Sequence, residues 1–182
     1  PNEYFQTDHR RQQLERARAL EKGAGAPGGF AAADRAFVRQ SRYGTVGCVA
    51  LDRAGNLAAG TSTGGMTNKK FGRVGDVPVI GAGTYASNAT CAVSATGWGE
   101  YFIRVGVARD IAAQLEYQHK PLAAAAAATL AKVKALGGDG GVIALDARGN
   151  LAMEFNSPGM YRAHRISGQP AVVAIYGDET KN

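Results

Sequence analysis

Two segments 94 positions apart carry one pattern: Ala50-Leu51-Asp52-Arg53-Ala54-Gly55-Asn56-Leu57-Ala58 and Ala144-Leu145-Asp146-Ala147-Arg148-Gly149-Asn150-Leu151-Ala152. In each, an apolar run meets D-x-x-G-N and then continues apolar, as the two arms of a β-hairpin do. Two similar hairpins imply at least four antiparallel strands. Their arms are apolar at nearly every position rather than alternating, which predicts a sheet covered on both faces.

Two helices are expected between the hairpins. Gly99 to Gln118 spaces Phe102, Val105, Ile111 and Leu115 helically, and a second run opened by Pro121 carries Leu122, Leu130, Val133 and Leu136 and stops at Gly137-Gly138. Alanines 123 to 128 favour helix and allow close packing on a sheet. With a last strand within Ile166 to Tyr176, the reading is a layered α+β or αββα domain. Its 182 residues suit one compact unit, and 25 glycines, about twice the usual share, fit many tight turns. Before the first hairpin, residues 8 to 22 form a weakly amphipathic basic helix, and the glycine-rich stretch from 23 to 44 reads as a linker.

Charge and composition narrow the function. The net charge of +6 is spread evenly: residues 1 to 42 hold eight basic and five acidic groups, the remainder thirteen and ten. That distribution favours a small anionic ligand over a nucleic acid. No apolar run reaches membrane-spanning length, the longest being Leu122 to Ala128, so no membrane partner is expected. Cys48 and Cys91, both in apolar surroundings, read as buried thiols. His9, His119 and His164 are scattered and no C-x-x-C, H-E-x-x-H or phosphate-binding glycine loop occurs, which leaves metal hydrolysis, histidine triads and nucleotide binding unsupported. The chain opens at Pro1 with Met only at 66, 153 and 160, so any targeting segment is out of view. A cytoplasmic location is the default expectation.

What remains is a series of hydroxyls and glycines: Gly44-Thr45, Thr61-Ser62-Thr63-Gly64-Gly65, Gly72-Arg73-Val74-Gly75-Asp76 and Thr96-Gly97-Trp98-Gly99-Glu100. Singly, each has an ordinary reading: Thr45 a strand residue, Arg73 and Asp76 a surface pair, Thr96 to Gly99 a turn before a helix. Together they carry more. A linker that ends at Gly44-Thr45, directly before a strand, is what a self-cleaving precursor needs, because cleavage there leaves a hydroxyl and a free amine on one residue.

GTVGCVALD, TSTGGMTNKKFGRVGD, GAGTYASN and ATGWGE, in this order, resemble the β-subunit of the plant-type L-asparaginase and isoaspartyl-peptidase family, within the N-terminal-nucleophile hydrolases. The likeness runs from Gly44 to about Tyr176, and GGMTNK is similar to the asparaginase branch, whereas the glycosylasparaginase branch tends to carry Asn where Gly65 stands. The resemblance implies a four-layer αββα sandwich of which this chain holds roughly the C-terminal half. It divides the chain into 1–22, the last helix of an α-subunit; 23–44, a linker ending at the cleavage site; and 45–182, the β-subunit.

By the same resemblance, Thr45 is the nucleophile and its liberated α-amine the general base, with Thr63 holding the hydroxyl. Thr96 and the Gly97 N–H form the oxyanion hole. Arg73 binds the substrate's α-carboxylate, and Asp76 with the Gly99 carbonyl binds its α-ammonium. The implied activity is hydrolysis of L-asparagine and of β-aspartyl dipeptides, with no cofactor for catalysis. Glycosylasparaginase is the alternative within the class, and an inactive fragment the alternative outside it. A structural sodium is implied in the α-part, which is also the implied partner in an (αβ)₂ assembly. Trp98 sits where the family varies and is expected, with Gly65, to set the space for the leaving group.

Overall fold

A computed structural model describes residues 4, 6–23, 44–177 and 179. The chain forms two compact units where length suits one: Pro1–Gly44 with Gly64–Arg73, and Thr45–Thr63 with Val74–Asn182. Most of the expected linker, 24 to 43, lies outside the described residues.

In the first unit the basic helix forms as α1, Asp8–Gly23. Thr7 caps it, its hydroxyl accepting the Arg10 N–H at 3.3 Å. Near the other end Glu21 accepts from Asn68 Nδ2 at 3.1 Å and pairs with Lys70, tying α1 to the 64–73 loop. The Lys70 hydrogen bond, then that of Asn68, hold the Glu21 carboxyl below its ordinary range.

The second unit contains the hairpins. β1 (Val46–Leu51) and β2 (Leu57–Ser62) form one antiparallel pair; β3 (Thr84–Ala86), β4 (Cys91–Gly97), β5 (Gly140–Asp146) and β6 (Leu151–Phe155) form a four-stranded sheet in that order; β7 (Arg162–His164) pairs with β8 (Val172–Ala174). The two D-x-x-G-N turns are built alike. Asp52 Oδ1 accepts the N–H groups of Ala54 and Asn56, Oδ2 accepts from the Asn56 amide, and Gly55 has φ 85°. Asp146 does the same for Arg148 and Asn150, with Gly149 at φ 82°. In both, the aspartate closes the turn and the glycine takes the left-handed position.

On the four-stranded sheet lie α2 (Gly99–Val105), α3 (Val107–Gln118) and α4 (Leu122–Ala135). Their apolar faces meet alternate residues of β4 and β5 in one core: Cys91, Val93 and Ala95, then Val142 and Ala144, against Phe102, Val107, Ile111, Leu130 and Val133. Each large side chain removed from water here contributes roughly 1.5–3 kcal/mol. Ala125 and Ala126 are fully buried, so α4 packs closely, as its small residues predict. The opposite face of the sheet carries the β1–β2 pair. Helices, sheet and hairpin are three layers of the α+β sandwich.

Three expectations are corrected. The helix expected over 99–118 is two, broken at Gly106 (φ 64°), and the break lets the first amides of α3, Ala108 and Arg109, donate to the carbonyls of Ala82 and Gly81 at 3.1 and 2.8 Å. Cys91 is buried but Cys48 is exposed. It shares with Val46, 73% exposed, the side of β1 turned away from the four-stranded sheet, and no described residue of this unit covers that side. The arms of the β1–β2 hairpin are therefore covered on one face only, whereas the four-stranded sheet is covered on both. The last strand, Val172–Ala174, lies within the Ile166–Tyr176 stretch expected to supply it.

Candidate active site

Thr45 stands immediately before β1 and Thr63 immediately after β2. The register pairs Val46 with Ser62 and Gly47 with Thr61, which sets Thr45 opposite Thr63. The Thr45 hydroxyl donates to the Thr63 hydroxyl at 3.1 Å, and both residues are half-buried. Side chains alternate along a strand. So Thr45, Gly47, Thr61 and Thr63 all lie on the hairpin face that meets the four-stranded sheet. Gly44 belongs to the first unit and is exposed; a Cβ there would come 3.5 Å from the Arg10 guanidinium.

Thr96, Gly97, Trp98 and Gly99 form the passage from β4 into α2. Ser94 reaches the hairpin, so Thr96, two residues on, is on the same side of β4. Gly97 pairs with Gly140 across the sheet, with φ values of 150° and 152°. A Cβ on Gly97 would fall 2.5 Å from the Asp139 carbonyl oxygen and 2.7 Å from the Phe102 ring; one on Gly140 would fall 2.2 Å from the Thr96 carbonyl oxygen. Only glycine fits at either position. Trp98 donates its N–H to the Asp139 carbonyl at 3.1 Å, and its indole meets Tyr101 edge-on at 5.3 Å. Gly99 is buried at the start of α2.

Asp76 is 6% exposed. Its carbonyl accepts the N–H groups of Val79 and Gly83 at 3.0 and 3.1 Å, and the Gly83 carbonyl accepts the Ala95 N–H at 2.9 Å. One turn thus ties Asp76 to β4 beside Thr96. A Cβ on Gly83 would come 2.7 Å from Asp76 Oδ2, so the carboxylate occupies space that glycine leaves open.

In the first unit, Arg73 lies beside Gly65 (φ 76°): a Cβ on Gly65 would be 3.2 Å from Arg73 Nη1 and 3.2 Å from Lys69 Nζ. Lys69 Nζ also donates to the Gly64 carbonyl at 2.5 Å. Gly65 therefore bears on how Arg73 is held.

Of the residues singled out from sequence, the second unit holds Thr45, Thr63, Asp76, Thr96, Gly97, Trp98 and Gly99, and brings Thr45 and Thr63 into contact. Gly44, Gly65 and Arg73 are held by the first. Sequence reasoning missed Gly140, Asp139, Ser94 and Thr84. The signal for Gly140 was the Gly140-Gly141 pair at the start of an apolar strand, a place where glycine weakens pairing unless close approach requires it. Among the described residues no group of three His, Cys, Asp or Glu is placed to hold a metal ion, and no helix is long and apolar enough to cross a membrane.

Residues 1–175 match the protein family described as Asparaginase. Among curated proteins, the chain is 51% identical over 177 residues to the isoaspartyl peptidase of Salmonella typhimurium, covering 94% of this chain and 54% of that one. It is 55% identical over 141 residues to the isoaspartyl peptidase of Escherichia coli, covering 77% and 44%. The isoaspartyl peptidase/L-asparaginase of Bos taurus is 42% identical over 179 residues, covering 98% and 54%. The chain spans about half the length of these relatives.

Proposed function

Since the chain belongs to the asparaginase family, we propose that it supplies the nucleophile half of a hydrolase of β-amide bonds, acting on L-asparagine and on β-aspartyl dipeptides. One observation carries the reading: the 3.1 Å hydrogen bond between Thr45 and Thr63, at the residue where the nucleophile is expected.

The enzyme begins as a precursor. The Thr45 hydroxyl attacks the Gly44 carbonyl carbon, the Gly44–Thr45 amide breaks to leave an ester, and water hydrolyses the ester to a Gly44 carboxylate and a free Thr45 amine. An amide nitrogen is not basic, whereas an α-amine has an ordinary pKa near ~7.7–8.0, so the base arises only with cleavage.

In turnover Thr45 Oγ1 attacks the side-chain carbonyl of the aspartyl group and passes its proton to the Thr45 amine, with Thr63 orienting the hydroxyl. Charge develops on the carbonyl oxygen. Thr96 Oγ1 and the Gly97 N–H stabilise it, each donor being worth on the order of 2.7–4 kcal/mol in the transition state. The amine then protonates the departing nitrogen, leaving an aspartyl ester on Thr45 that water hydrolyses. Arg73 takes the substrate's α-carboxylate in a two-pronged pair, and Asp76 with the Gly99 carbonyl takes its α-ammonium. A substrate that is itself a zwitterion explains why opposite charges lie three residues apart in sequence. The small Gly65 and the large indole of Trp98, at the positions that the family resemblance assigns to leaving-group space, disfavour a sugar-linked asparagine.

The partner in this reading is an α-part, in an (αβ)₂ assembly in the cytoplasm. The structural sodium belongs to that α-part, and no step above passes through it. Intact mass of the full-length protein tests the proposal, with competition among asparagine, a β-aspartyl dipeptide and a glycosylated asparagine. We expect cleavage after Gly44 that Thr45→Ala abolishes, and kcat/KM highest for the first two substrates. Cleavage persisting in Thr45→Ala would overturn the mechanism. A preference for the glycosylated substrate would overturn the specificity alone.

A further inference from the structure

Three hydroxyls that the mechanism does not use join the hairpin to the four-stranded sheet. Thr61 Oγ1 lies 2.7 Å from Ser94 Oγ and accepts from Thr84 Oγ1 at 2.6 Å. Ser94 is 3% exposed and pairs with Thr84 in the β3–β4 register. Opposite Thr61 on the hairpin stands Gly47, where a Cβ would come 2.1 Å from Ser94 Oγ. The serine therefore enters the hairpin face through a gap that only glycine provides.

Position gives this cluster its meaning. Along β1 and β2 the Gly47–Thr61 pair is the nearest inward-facing pair to Thr45–Thr63, two residues away on each strand. Along β4, Ser94 is two residues from Thr96 on the same face. No backbone ladder links the hairpin to the four-stranded sheet. At the turn end of the hairpin Asn88 Oδ1 accepts the Leu57 N–H at 2.8 Å; at the end that carries Thr45 and Thr63, apolar contact alone is non-directional and leaves the two layers free to slide. Hydrogen bonds between short side chains, here a buried serine and two half-buried threonines, have fixed length and angle, and do not.

We infer that Thr61, Ser94 and Thr84 form a cross-sheet clasp that sets the placement of Thr45 and Thr63 relative to Thr96, with Thr61 and Ser94 as positioning residues for the hydrolysis. The inference rests on the function proposed above. Its chemistry is purely geometric: no proton leaves the cluster, and the substrate does not touch it. A shift of about 1 Å between nucleophile and oxyanion donors costs on the order of a hundredfold in rate, which is the scale of effect the clasp prevents.

The test uses the processed full-length protein, with kcat expressed per titrated active site. Thr61→Val keeps the volume and deletes the hydroxyl; Thr61→Ser keeps the hydroxyl. We expect Thr61→Val to lower kcat by roughly ten- to a hundredfold with KM changed less than about threefold, and Thr61→Ser to restore most of it. A filler of space would lower the melting temperature and leave kcat per site intact, which overturns the inference. Equal loss in Thr61→Val and Thr61→Ser also overturns it. Should Thr61→Val not fold, Ser94→Ala reads the same contact with a smaller change, under the same expectations. Wild-type protein that turns over neither asparagine nor a β-aspartyl dipeptide removes the proposed function and this inference with it. An active wild type with unimpaired variants removes the inference alone.

Discussion

The hydroxyl of Thr45 donates to the hydroxyl of Thr63 across 3.1 Å, joining the residue that enters one arm of a hairpin to the residue that leaves the other. Thr63 thereby fixes the direction of the Thr45 Oγ1–H bond.

Thr63→Val removes the acceptor and keeps the shape. Turnover of asparagine by the processed protein is expected to fall on the order of a hundredfold, while Thr63→Ser stays close to wild type. Steady-state kinetics on both variants decide it, and equal activity in Thr63→Val would show that the contact orients nothing.

Arg73→Lys keeps the charge but not the planar fork. Affinity for aspartate should weaken by about tenfold or more, the scale of one hydrogen bond to a charged group, and asparagine turnover should fall with it. Calorimetric titration with aspartate checks this; unchanged affinity removes Arg73 from the carboxylate site.

Gly140→Ala places a methyl 2.2 Å from the Thr96 carbonyl oxygen, on a backbone at φ 152°. Strain and overpacking together are expected to cost about 3 kcal/mol or more, a drop in melting temperature of roughly 6–12 °C for a chain of this size. Thermal denaturation of the purified variant measures it, and an unshifted midpoint would contradict the tight Gly97–Gly140 approach.

Burial pushes the Cys91 thiol up to about 11 from 9.0. The folded state therefore holds its proton more tightly than the unfolded chain. This contribution to stability is fully present below pH 9 and is lost as pH rises through about 11. Denaturant titrations at pH 8 and pH 10.5 should show a weaker fold at the higher pH, with Cys91→Ala less sensitive over that interval. In native protein at pH 8 Cys91 should also resist alkylation, as mass mapping of labelled peptides would reveal.

The elements legible from sequence are those whose causes are local. Asp52 and Asp146 each satisfy amides within four residues of themselves, and Gly55 and Gly149 supply the left-handed turn, so both hairpins follow from five-residue patterns. The alanine-rich helix α4 likewise begins after Pro121 and stops at Gly137, whose φ is 89°. Tertiary structure decided what depends on distant partners. The break at Gly106 is set by carbonyls at Gly81 and Ala82 that accept the first amides of α3, and an apolar period running through Gly106 carries no trace of them. Cys48 and Cys91 have similar neighbours in sequence, and only the covering of their strands makes one exposed and the other buried. The motif residues Thr45 and Thr63 were legible by resemblance, yet their contact comes from the hairpin register. Ser94 is not legible in the sequence because its partner Thr61 lies 33 positions away in another sheet, and the gap that admits it is a missing side chain at Gly47. Turn chemistry acts over a few bonds and is written in order along the chain, whereas register, burial and approach between layers arise only when separate segments compete for the same space.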